Sequence, residues 1–137
     1  MKRFFSLLCG LVLGATHVSA AQPAPRPNVL FIAVDDLRDW MRYLGNEQVI
    51  TPNFDRLARM GVSFTRSYAI STVCNPSRTA TLTGLRPGTS GVYANTTDWR
   101  AALPNIVTIP SHFKANGYTV LGTGKIFHDG YVRSSDW

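Results

Sequence analysis

The run Asn28-Val29-Leu30-Phe31-Ile32-Ala33-Val34 is apolar after its first residue and ends directly on two acids, Asp35 and Asp36. It has no polar alternation, which is how a strand covered on both faces of a parallel sheet reads. A chain built around such a strand needs layers on either side of it. The rest of the sequence offers the elements for those layers.

Thr51-Pro52 reads as the N-cap and first residue of a helix that Gly61 closes, with Phe54, Leu57, Ala58 and Met60 on its apolar face. Residues 62–70 alternate like a strand. A second helix starts near Asn75-Pro76 and stops at Gly84, with Pro87-Gly88 as a turn behind it. A third runs from about Thr108 to Asn116, closes at Gly117 and leads into a strand over Tyr118–Leu121. Gly122-Thr123-Gly124-Lys125 follows that strand. This order predicts an α/β fold with a central, mostly parallel sheet flanked by helices. Ligands in such folds collect outside the carboxyl ends of the strands. Asp35, Asp36, Cys74 and Lys125 all fall at or after predicted strand ends.

Residues 1–20 read as a secretory signal. Lys2 and Arg3 precede a largely apolar stretch, and Val18-Ser19-Ala20 offers small residues for cleavage. The expectation is an exported protein, periplasmic or secreted, without a stable membrane anchor, since the apolar stretch is too short for a confident span. Residues 21–27 hold three prolines and form an extended lead-in, and residues 28–137 hold one modest core. Loss of Lys2 and Arg3 lowers the basic count from 14 to about 12 against 8 acids. That mild positive excess suits an anionic substrate. No lysine or arginine cluster marks a nucleic-acid surface.

Cys74-Asn75-Pro76-Ser77-Arg78 concentrates the chemistry. With Pro76 near the first helical position, Cys74 sits just before a helix, where unpaired amides and the dipole favour negative charge. Arg78 is four residues on, hence on the same face, and its planar donors can grip two oxygens of one anion. Ser77 can add a hydroxyl. Two readings stay open from spacing alone: a reactive thiol beneath a tetrahedral anion, or a small buried cysteine beside a surface arginine. A thiolate phosphatase loop needs arginine six positions after the cysteine, and that place is Ala80. Asp35 and Asp36 are either two solvated acids or a pair whose repulsion a hard divalent cation offsets. His128 is either a loop histidine or a group that acts on a ligand.

The string Cys-x-Pro-Ser-Arg-x-x-x-Leu-Thr-Gly, met in full by Cys74–Gly84, resembles the signature of the type I sulfatases. The stretch Gly117-Tyr118 through Gly124-Lys125-Ile126-Phe127-His128 resembles the second signature of that family, and residues 26–38 are similar to its iduronate-2-sulfatase subgroup. Val120 stands where the family often has Ser or Thr, and many members have one residue fewer between the lysine and the histidine. The resemblance implies an alkaline phosphatase-like sandwich and a sulfuric ester hydrolase acting on a sulfated sugar. It implies that Cys74 is oxidised by formylglycine-generating machinery to an aldehyde whose hydrate attacks the ester sulfur. It also implies one Ca2+, with Asp35, Asp36 and residue 74 as its metal-site residues, and catalytic parts for Cys74, Arg78, Lys125 and His128. A phosphate or phosphonate monoester hydrolase of the same superfamily and a non-catalytic truncated module are the alternatives. Sulfatases run several hundred residues further, so the expectation is an N-terminal portion of the catalytic domain. On its own that portion is expected to be poorly stable and inactive.

Overall fold

A computed structural model describes residues 25–128 and 130–137. The predicted signal, most of the lead-in and Asp129 lie outside the described residues. The chain divides after Phe31 into two units. In the first, residues 25–31 are exposed and carry no regular secondary structure. The description below concerns the second unit, residues 32–137.

Five helices form among the described residues: α1 (Pro52–Met60), α2 (Cys74–Thr83), α3 (Pro87–Ser90), α4 (Trp99–Ala102) and α5 (Ile109–Ala115). Single 3-10 turns occupy Arg42–Leu44 and Ser134–Asp136. Proline and small polar residues set the helix starts. Thr51 is the N-cap of α1 and Pro52 its first residue. The Thr51 hydroxyl accepts from the Arg42 amide at 3.0 Å and the Asp55 carboxylate from the Tyr43 amide at 3.1 Å, which ties α1 to the preceding 3-10 turn. Thr108 caps α5 in a reciprocal box with Ser111. Gly84 ends α2 at φ 75°, the left-handed conformation glycine adopts without steric cost. Pro87-Gly88 is the start of one-turn helix α3 rather than a bare turn. Helix α4 has no counterpart in the sequence reading; the Asp98 side chain caps it by accepting from the Arg100 and Ala101 amides.

The structure does not confirm the expected sheet. None of the three predicted strands, 28–34, 62–70 and 118–121, is a strand, and no strand occurs among the described residues. Apolar composition signals that a segment wants cover, but a strand is held by a ladder with neighbours and by packing on its face. No such ladder forms among the described residues, where Ile32, Phe64 and Leu121 stand 65%, 79% and 85% exposed.

The core is a compact cluster of Leu82, Val92, Trp99 and Phe127, with Ile106, Ile126, Tyr131 and Trp137 packed against it. Trp99 and Phe127 stack at 5.7 Å with their planes 4° apart, and Trp137 meets Phe127 edge-on at 5.6 Å. The Arg100 guanidinium lies 4.2 Å above the Trp99 ring, donates from Nε to the Tyr131 carbonyl at 2.9 Å and grips both Asp136 oxygens at 2.7 and 2.6 Å. One short helix thus fastens the segment around Phe127 and the chain beyond it. The Trp137 indole also lies against Gly122, where a Cβ would come within 2.3 Å of the ring. Phe127→Ala removes the centre of this cluster, and a loss of about 3–5 kcal/mol is expected by denaturant titration; a loss below about 1 kcal/mol would mean the stack is not what holds the cluster.

Candidate active site

Helix α2 places the cysteine. Cys74 is its first residue, with Val73 as N-cap, one position inside the helix rather than before it. Pro76 falls in the first turn, where a missing N–H breaks no helical bond. The first-turn amides are differently used. Val73 donates to the Ser71 hydroxyl at 3.3 Å, Asn75 to Asn95 Oδ1 at 2.8 Å, and Pro76 has no N–H. Cys74 itself is a free, half-buried thiol.

Three distant stretches meet beside it. Lys125 Nζ is 3.8 Å from Cys74 Sγ and 3.0 Å from Asp35 Oδ2. Arg78 Nη2 is 2.6 Å from Asp35 Oδ1, and its Nη1 donates to the carbonyls of Lys125 and, at 3.3 Å, Ile126. Gly124, at φ 69°, makes the turn that presents Lys125. The Arg78 side chain is only 12% exposed, whereas those of Asp35 and Lys125 are 40% and 36% exposed. Asp35, Cys74, Arg78 and Lys125 are thus one cluster. Asp36 lies beside Asp35 in the chain, exposed and at φ 55°, a left-handed conformation uncommon outside glycine. His128 tilts over Tyr131 at 6.2 Å. Arg78 Nε and His128 Nδ1 are buried without a hydrogen-bond partner among the described residues.

The charges support one another. The hydrogen bond from Lys125, then that from Arg78, holds the Asp35 carboxyl below its usual range, and the bond to Asp35 raises the Lys125 ammonium above its own. A lowered carboxylate stabilises above its ordinary range and loses that contribution as pH falls through the lowered value. A raised ammonium stabilises below its ordinary range and loses it as pH rises through the raised value. The pair is therefore intact across neutral pH. Its exposure keeps its share of stability small.

Calcium takes six to eight oxygen ligands. Asp35 and Asp36 offer the right donor type, but no group of three or more His, Cys, Asp or Glu side chains gathers among the described residues. Both Asp35 oxygens face Arg78 and Lys125. The donor set fits calcium in kind and falls short in number. Among the described residues no helix is long and apolar enough to cross a membrane. The sequence reading did not anticipate Asn75, Asn95 or the Trp99–Arg100 brace. The Asp98 cap ahead of Trp99-Arg100 was the local signal that could have found the brace; nothing local pairs Asn75 with Asn95.

The site thus sets a cysteine at the start of a helix beside an arginine, a lysine and a carboxylate. The profile of the sulfatase family matches residues 27–136, and the chain belongs to that family. It is 41% identical over 140 residues to a sulfatase of Formosa agariphila, covering 94% of this chain and 28% of that protein. It is 43% identical over 129 residues to iduronate 2-sulfatase of Mus musculus and 41% over 130 residues to that of Homo sapiens, covering 92% and 90% of this chain. The chain spans about a quarter of the length of these relatives, 23% and 24% of the two iduronate sulfatases. Family membership implies an alkaline phosphatase-like α/β fold.

Proposed function

We propose that the whole protein is an exported sulfuric ester hydrolase that removes sulfate from a sulfated carbohydrate, with residue 74 converted to formylglycine. The observation that carries this reading is the convergence of Cys74, Arg78, Lys125 and Asp35 in a chain of the sulfatase family. The sugar is suggested by the iduronate 2-sulfatases among its relatives.

Lys125 and Arg78 set two positive charges against one carboxylate beside residue 74, which favours an anionic ester there. Arg78 Nε, buried and without a partner among the described residues, is a donor available to a ligand oxygen. His128 Nδ1 is a second such atom, and as the histidine of the second family signature it would hold or pass a proton. Asp35 fixes where Arg78 and Lys125 point. Formylglycine would supply a hydrated-aldehyde oxygen as nucleophile, and calcium would add positive charge against the sulfate oxygens. Asp35 and Asp36 would hold that ion, next to residue 74, only together with oxygens from beyond this set.

Mass spectrometry of the residue-74 peptide from the active, full-length enzyme tests the reading. Conversion of thiol to aldehyde lowers the mass by about 18 Da; an unmodified thiol in fully active enzyme contradicts it. A paired assay on aryl sulfate and aryl phosphate separates the sulfatase from a phosphate or phosphonate ester hydrolase, which would prefer the phosphate.

A further inference from the structure

Asn75 and Asn95 have no part in the chemistry above, yet their contacts are the most complete polar network near Cys74. Asn75 is 1% exposed. Its amide nitrogen donates to the Thr97 carbonyl at 2.8 Å, the Ala94 carbonyl at 3.1 Å and, more weakly, the Asn95 carbonyl at 3.4 Å. Its Oδ1 accepts from the Thr79 hydroxyl at 3.4 Å, one turn along α2. Its backbone N–H donates to Asn95 Oδ1 at 2.8 Å. A buried amide is costly unless its donors and acceptor are used, and here all are. The two asparagines therefore join the first turn of α2 to residues 94–97 from both sides.

The same stretch continues through Asp98 into α4, whose Trp99 and Arg100 hold Phe127, Tyr131 and Asp136. The helix that carries Cys74 and the turn that carries Lys125 are thus both anchored to residues 94–100. We propose that residues 94–100 form a common frame setting the spacing of residue 74 and Lys125, with the Asn75–Asn95 pair as its latch. This rests on the reading of residue 74 as the reacting residue. Neither asparagine touches the reacting atoms, so both act as positioning residues. Their effect belongs in kcat, because a small misplacement of a reacting group raises the barrier without weakening binding in proportion.

Asn95 is the position to vary, since it is exposed and its loss opens no cavity. In the full-length enzyme, with rates normalised to the fraction of residue 74 converted, Asn95→Ala is expected to lower kcat about tenfold with KM within about twofold. Asn95→Asp keeps an acceptor oxygen for the Asn75 amide and is expected to hold kcat within about twofold. Hydrogen exchange at the Asn75 amide should accelerate in the alanine variant and stay slow in the aspartate variant. Unchanged kcat in Asn95→Ala, or equal losses in both variants, overturns the proposal. A wild-type enzyme without sulfate ester turnover sinks the functional reading instead, and exchange at Asn75 still decides whether the latch exists: unchanged exchange in Asn95→Ala refutes it.

Discussion

Cys74→Ala in the full-length enzyme is expected to reduce turnover of a sulfate ester by about 10⁴-fold or more, the scale on which removing a covalent nucleophile acts. Alanine keeps the helix start, since it needs no side-chain bond there and Val73 remains the N-cap. The stability of the fold should change little, because the thiol is only half-buried and its polar neighbour is the Lys125 ammonium at 3.8 Å. The measurement is kcat on an aryl sulfate together with a thermal melt. A variant that melts normally and keeps more than about a tenth of wild-type turnover would remove residue 74 from the chemistry. Cys74→Ser is a weaker probe, because it leaves an oxygen nucleophile in the same place.

The second large effect is expected at Arg78. Its guanidinium works in two directions at once, toward the Asp35 carboxylate and toward the carbonyls of Lys125 and Ile126. Lysine keeps the charge but has a single point of donation, so it cannot hold both. Arg78→Lys is therefore expected to lower kcat/KM about 100-fold, through poorer placement of Lys125 and the loss of the buried Nε donor. The scale of the effect separates this role from that of a surface ion pair, which is worth about 1 kcal/mol or less. Steady-state kinetics check it, and a loss smaller than about threefold would show that Arg78 is only a surface partner of Asp35.

How much of this was readable in the chain depends on the range of the interaction. Helix ends are local: Thr51-Pro52, Thr108 and Gly84 each carry their boundary in one or two residues, and the structure places them accordingly. The Cys74–Arg78 relation is also local, a single helical turn. Strands are not. The run over 28–34 states only that it is apolar, and whether it joins a ladder depends on partners elsewhere. The pairing of Asp35 with Lys125 spans 90 residues and was not read from the sequence; only their places after predicted strand ends and the family resemblance set both in one site. Asn75 was read merely as a place near a helix start. Its burial depends on a loop some twenty residues away that has no periodicity to betray it. Arg100 was missed for a related reason, since a four-residue helix is too short to show a face.

Gly122 and Trp137 share one volume. The indole occupies the space that any side chain on residue 122 would need. A side chain gained at residue 122 therefore requires the residue at 137 to shift or shrink.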